Sequence, residues 1–167
     1  MVASGNIMKK YLTAACLISI NFLFVACSPR PSGETQPALK ANESFQVLDN
    51  YEMHYNAVRT DQLTADVARA YGIERSKNKV LLNISVLAKT ANGSTTSSDA
   101  DITVLGRNLN GQVKNVLLRR IAESTAIYYI AEVDFSGSET LVFEIKAIPA
   151  GSNSPITATL TREFFAD

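Results

Sequence analysis

Apolar residues are arranged in two ways along this chain. Up to residue 26 they form a nearly unbroken run behind a basic pair, whereas from Phe45 onward they alternate with polar residues at a period of two. That alternation is the signature of strands with one covered face. "SFQVL" sets Phe45 and Val47 on one side. "YEMHYNAV" sets Tyr51, Met53, Tyr55 and Ala57 against Glu52, His54, Asn56 and Val58. "KVLLNISVLAK" places Val80, Leu82, Ile84, Val86 and Ala88 on one face and Leu81, Asn83, Ser85 and Leu87 on the other. It therefore reads as a central strand, covered on one side and partly on the other.

Five more strands are predicted at "ADITVLG", "QVKNVLLRRIA", "AIYYIAEVDF", "ETLVFEIKAI" and "ITATLTREFF", separated by "TANGSTTSSD", "NLNGQ", "EST", "SGS" and "PAGSNSP". Asn92-Gly93 and Asn110-Gly111 are strong hairpin signals, because both residue types tolerate positive φ. One helix of about two turns is predicted between the second and third strands. Thr64 can cap it, Asp66 suits its first turn, Leu63, Val67 and Tyr71 face one way, and Gly72 stops it. So short a helix is expected over one end or edge of the sheets. The fold class that follows is all-β, an antiparallel β-sandwich over residues 44–167, Ig-like in the loose sense, with a small barrel as the alternative.

The first 26 residues read differently. Lys9 and Lys10 precede sixteen mostly apolar residues, Tyr11 to Ala26, interrupted by Asn21. A spanning helix needs about 20 residues, so a secretory signal fits better. Met8 looks like a natural start, which makes residues 1–7 an upstream extension. "FVAC" resembles a bacterial lipobox, with Ala26 before Cys27; Phe24 departs from the usual Leu. The resemblance implies cleavage before Cys27 and lipidation of its sulfur, which anchors the chain in a membrane. "TAAC" at Cys16 competes, but cleavage there would leave the second half of the apolar run exposed. The other alternative is an ordinary signal or an uncleaved anchor, with Cys27 incidental. Ser28, where inner-membrane retention is associated with Asp, points by the same resemblance to the outer membrane, facing the periplasm. Residues 27–43 read as a lipidated cysteine and a flexible tether, because "SPRPSGETQPALKANES" from Ser28 onward is rich in Pro, Ser and small polar residues and lacks hydrophobic periodicity.

Composition narrows the chemistry. The apolar content of 46% and 167 residues suffice for one real core. The formal charge is zero over the chain and −2 from Cys27 onward, since Lys9 and Lys10 fall before it, and this argues against a nucleic-acid surface. Both cysteines, Cys16 and Cys27, fall in the first 27 residues. A disulfide framework, a cysteine nucleophile and a Cys-based zinc site are therefore excluded from the domain. No phosphate-binding glycine loop or G-x-S-x-G elbow occurs, so no catalytic residue, cofactor or metal is expected.

Few residues carry candidate chemistry. His54, the one histidine, shares a strand face with Glu52 and Asn56 and is flanked by Tyr55. A histidine beside a carboxylate can act as a general base; the competing reading is a structural histidine that fixes a strand by hydrogen bonds. Arg119 and Arg120 are adjacent and so point to opposite faces. One of them suits an anion site, or else pairs across strands with Glu132 or Asp134. Tyr128 and Tyr129 split likewise, one toward the core and one toward a polar face or binding surface. The Asn42, Asn83 and Asn92 sequons have no glycosylation meaning in a bacterial lipoprotein.

Taken together, "YEMHYNAV", "AYGIERSKNKVLLNISVL", "NLNGQ", "AIYYIAEV" and "ETLVFEI" resemble the bacterial domain-of-unknown-function 4426 family. The resemblance spans most of Phe45 to Phe165. It implies a gammaproteobacterial envelope protein, and it supplies no reaction, cofactor or catalytic residue. The expected function is therefore a non-catalytic binding or assembly module of the cell envelope, with an envelope protein as partner. The alternative is a hydrolase or small-ligand binder using the polar strand face around His54.

Overall fold

The computed structural model describes residues 44–166. The signal segment, Cys27 and the tether lie outside the described residues. Ten strands and one α-helix follow in order: β1 (Ser44–Leu48), β2 (Tyr51–Arg59), α1 (Ala65–Tyr71), β3 (Lys79–Lys89), β4 (Thr95–Ser97), β5 (Ala100–Asn108), β6 (Val113–Lys114), β7 (Arg119–Ala122), β8 (Ile127–Asp134), β9 (Ser138–Pro149) and β10 (Ile156–Phe165). They form two antiparallel sheets. Sheet A has the order β1-β2-β3-β8-β7, with β4 also paired to β3, and sheet B has the order β10-β9-β5-β6. The sheets do not close on one another, so the fold is a sandwich and not a barrel.

Period-two patterning places the core where it was expected. Met53, Tyr55 and Ala57 of β2 and Val80, Leu82, Ile84 and Val86 of β3 face Leu141, Phe143, Ile145 and Ala147 of β9. Ile156, Leu160 and Phe164 of β10 complete that layer. Each fully buried aliphatic or aromatic side chain here stabilises the fold by roughly 1.5–3 kcal/mol. Tyr129 also belongs to this core, and its hydroxyl makes two hydrogen bonds. It donates to Asp99 Oδ1 at 2.9 Å and accepts the Ala100 N–H at 2.8 Å.

Two features differ from the sequence reading. "QVKNVLLRRIA" is not one strand: β6 pairs with β5 in sheet B, and β7 pairs with β8 in sheet A. Its alternation of burial persists through the crossing segment, with Val116 and Leu118 packed on the core and Asn115 and Leu117 exposed. Gly106 makes room for this crossing, since a Cβ there would stand 2.7 Å from the Val116 Cγ2 methyl. The short β4 emerges inside the stretch read as a turn, where Thr95–Ser97 pairs with Leu87–Lys89.

The helix forms as its caps dictate. Thr64 Oγ1 accepts the Val67 N–H at 3.3 Å, and Gly72 closes the helix at φ 62° in the left-handed region. It lies over one end of sheet A, as expected, and specifically on that sheet's outer face. Ala68 and Ile73 pack with Leu81 and Ile130 on the outer face of sheet A, away from the main core. The cause lies in the strands, because Val58, Leu81, Ile121 and Ile130 make that outer face apolar and in need of a cover. The end of sheet A around Leu81 is thus covered on both sides.

Candidate functional site

Among the described residues, the outer face of sheet A carries a concave surface that includes one of the sequence-derived candidates, Asn56. Its floor is fixed by register. His54 lies opposite Ser85, Asn56 opposite Asn83, Asn83 opposite Ile130, and Ile121 opposite Tyr128. At one end α1 lies over this floor without filling the space beneath it. The result is a cleft of about 310 Å³, bounded by Leu63, Val67 and Tyr71 of the helix side and by Leu81, Tyr128 and Ile130 of the sheet. That volume is at the lower end of the range for small-molecule sites, about 300–1,000 Å³.

Two asparagines stand side by side at the polar part of the cleft, and they differ in one respect. Asn56 Oδ1 accepts the Ala57 N–H at 2.8 Å and a guanidinium N–H of Arg162 at 3.0 Å. The same arginine also donates to the Ala57 carbonyl. Asn83 Oδ1 is buried and has no hydrogen-bond partner, the one such side-chain atom among the described residues. A buried carbonyl oxygen left unpaired costs about 1–3 kcal/mol, so its retention needs an explanation. At the rim, Tyr71 donates its hydroxyl to Glu123 at 2.6 Å, and that hydrogen bond pushes the Tyr71 hydroxyl above its ordinary pKa. Arg119 ties the end of α1 to the sheet by donating two N–H groups to the Tyr71 carbonyl, each at 3.2 Å.

The polar row on β2 continues away from the cleft. Glu52 Oε2 lies 3.3 Å from His54 Nε2, and Glu52 Oε1 lies 2.8 Å from the Lys89 ammonium. Lys89 first, and His54 second, hold the Glu52 carboxyl below the usual carboxylate range. Phe45 of β1 stacks on the His54 ring, with centroids 5.6 Å apart and planes 22° apart. The imidazole is therefore clamped between a carboxylate and an aromatic ring, and it lies outside the lining of the cleft.

The structure distributes the other candidates among separate tasks. Tyr55 points into the core at 5% exposure and takes no part in the polar row. Arg119 and Arg120 do point to opposite faces, and neither joins His54. Arg119 stands 3.6 Å from Glu132 beside its bonds to Tyr71. Arg120 does not use Glu132 or Asp134; it grips Asp99 through Nε at 2.6 Å and a second nitrogen at 2.8 Å. Arg120 first, then the Tyr129 hydroxyl, keep the Asp99 carboxyl below its ordinary pKa. Of the tyrosine pair, Tyr129 is the core residue and Tyr128 the one that faces the cleft.

The residues that the sequence reading passed over are Asn83, Val67 and Tyr71. Asn83 had a signal: a lone amide among "VLL" and "ISVL" in a central strand, where asparagine is depleted. Among the described residues no group of three or more His, Cys, Asp or Glu side chains is placed to hold a metal ion.

Comparison with known proteins gives a family and two related folds. The family described as "Domain of unknown function (DUF4426)" matches residues 45–167. A crystal structure of a DUF4426 family protein (PA0388) from Pseudomonas aeruginosa PAO1 matches with a TM-score of 0.63 and 31% identity, covering 77% of this chain and 99% of that one. FetP from uropathogenic E. coli strain F11, recombinantly expressed in the periplasm of E. coli, matches with a TM-score of 0.51 and 12% identity. That match covers 74% of this chain and 94% of FetP, and it concerns the fold alone. No curated protein matches.

Proposed function

The chain belongs to the DUF4426 family, a domain of unknown function, and on that premise we propose that it is a periplasm-facing lipoprotein of the cell envelope that acts by binding. In this reading Cys27 carries the lipid, residues 28–43 are the tether, and the binding surface is the outer face of sheet A. Ser28 after the cysteine favours the outer membrane. The observation that carries the binding role is the apolar cleft left open beneath α1, with an unpaired amide oxygen beside it. A hydrolase built on His54 needs Glu52, His54 and Asn56 to converge on one cavity. Of these only Asn56 lines the cleft, which favours binding over hydrolysis.

Two measurements test the reading. Mass analysis of the mature N-terminus should find diacylglycerol-modified Cys27, and a Cys27→Ala variant should lose both the lipid and membrane association; an unmodified N-terminus would remove the anchor. A photo-reactive residue at Val67, beside the cleft, should yield a discrete adduct on the chain after irradiation of intact cells. The same residue at Thr103, on sheet B, should not. Equal adduct patterns at the two positions would remove the assignment of the binding face.

A further inference from the structure

The cleft beneath α1 is apolar at one end and polar at the other. Val58 and Leu81 form the floor of the end nearer the helix, with Leu63, Val67 and Ile73 on the helix side. One same-face step along the strands, Asn56 lies opposite Asn83, and Tyr128 stands at the same end on β8. None of the side chains lining the cleft is charged. An ammonium ion entering it would lose its hydration with no anion to pair with, and a carboxylate would lose its own with no cation in the lining. The apolar end rewards an alkyl body.

The polar end offers hydrogen-bond donors. Asn56 Oδ1 is held by the Ala57 N–H at 2.8 Å and by Arg162 at 3.0 Å, which fixes the side chain so that its amide nitrogen is the open group. The Arg162 guanidinium on that oxygen also polarises the amide and strengthens its N–H groups as donors. Asn83 Oδ1 is buried, out of reach of a ligand, and the amide nitrogen is the part of Asn83 left to the cleft. Among the described residues, neither amide nitrogen has an acceptor, and the Tyr128 hydroxyl at the same end has no hydrogen-bond partner. An amide nitrogen donates and cannot accept, so the pair calls for an acceptor. Opposed side chains on paired strands have Cβ atoms about 4.5–5.5 Å apart, close enough for one carbonyl oxygen, with its two lone pairs, to take an N–H from each. We propose that this cleft binds a neutral acyl chain, the ester or amide of a fatty acid, with its carbonyl oxygen on the Asn56 and Asn83 amide nitrogens and its alkyl chain beneath α1. The inference rests on the reading that this face binds, and it specifies the ligand class.

The test uses the full chain and probes that share one alkyl length: methyl octanoate, N,N-dimethyloctanamide, 1-chlorooctane, octanoate and octylammonium. Binding is followed by NMR shifts of backbone and side-chain amides. The ester and the dimethylamide should bind saturably and shift the side-chain amide signals of Asn56 and Asn83 together with Val67. 1-Chlorooctane, which lacks the carbonyl, should bind about tenfold more weakly, the value of one neutral hydrogen bond at its upper range. Octanoate should bind more weakly than its ester, and octylammonium should not bind. Asn83→Leu removes one donor and should reduce the preference for the ester over 1-chlorooctane. Asn56→Asp keeps an oxygen for Arg162 and the Ala57 N–H, exchanges the open donor for an acceptor, and should abolish that preference. Val67→Trp should block every probe. Equal affinity for the ester and 1-chlorooctane, octanoate binding as tightly as its ester, an unchanged preference in either asparagine variant, or side-chain amide signals that stay still as the ester saturates would overturn the proposal. Absence of binding by all probes would overturn this ligand class while the Val67 adduct remains a separate result, so the two readings fail separately.

Discussion

Asn83→Leu should make the protein more stable, which is the reverse of what most substitutions in a central strand do. Asn83 sits on β3 between the apolar positions of the outer face, and its Oδ1 atom is buried without a donor. Removing an unsatisfied buried acceptor recovers about 1–3 kcal/mol. The residue as a whole is only half-buried, so the lower part of that range applies, and leucine has nearly the same shape as asparagine. A gain of about 1–2 kcal/mol corresponds to a rise of roughly 0.5–1 M in the urea midpoint for a domain of this size. Equilibrium urea unfolding of the wild type and the variant, at equal slope, measures it. Asn83→Asp serves as the opposite control, because it buries a charge beside Leu81 and Ile130 and should lower the midpoint at neutral pH. A midpoint for Asn83→Leu that is unchanged or lower would mean that the carbonyl is satisfied in solution.

Two further outcomes follow from the hydrogen bonds. Glu139 is half-buried, and burial alone would raise its pKa. Lys114, the Asn108 amide at 2.7 Å and the Ser136 N–H at 3.2 Å outweigh that effect and hold it below its ordinary value. The folded value lies below the unfolded one, so this group's contribution is full above the unfolded pKa of about 4.3 and is lost as the pH falls through the folded value. Glu139→Gln should cost roughly 1–3 kcal/mol at neutral pH and flatten the acid limb of stability measured by urea midpoints; parallel pH curves for the two proteins would contradict this. Thr64→Ala removes the cap on the Val67 N–H and should cost about 1 kcal/mol, with amide exchange accelerated in α1 and unchanged in β9.

The sequence yielded most of the fold because burial follows a period of two wherever one face is covered. β2, β3, β9 and β10 were legible for that reason, and the Thr64 and Gly72 caps fixed the helix. What it missed has physical causes. The 112–122 segment alternates without interruption, and alternation says which residues face inward but not which sheet they join. The seat of α1 depended on the outward apolar residues of four different strands, Val58, Leu81, Ile121 and Ile130, a stripe that exists only once the strands are paired. The candidate site was partly legible. Glu52 and His54 do meet, as their spacing within one strand allows, whereas Tyr55 belongs to the opposite face by that same spacing. The Arg120–Asp99 grip joins β7 to the link before β5, and nothing local in the sequence signals a contact between residues so far apart. Asn83 was visible as an anomaly of composition, but its missing partner is a property of three dimensions.

The crossing between β6 and β7 constrains how this chain can vary in length. From Val113 to Arg119 each odd-numbered residue is turned to solvent and each even-numbered one is turned inward, and Val116 is seated against the bare backbone of Gly106. Inserting or deleting one residue here would exchange the two sets, exposing Val116 and Leu118 and forcing Asn115 and Leu117 toward the interior. It would also present the wrong side of β7 to β8, separating Arg120 from Asp99. A change of two residues preserves the parity. Relatives that differ in length at this crossing should therefore do so in even steps.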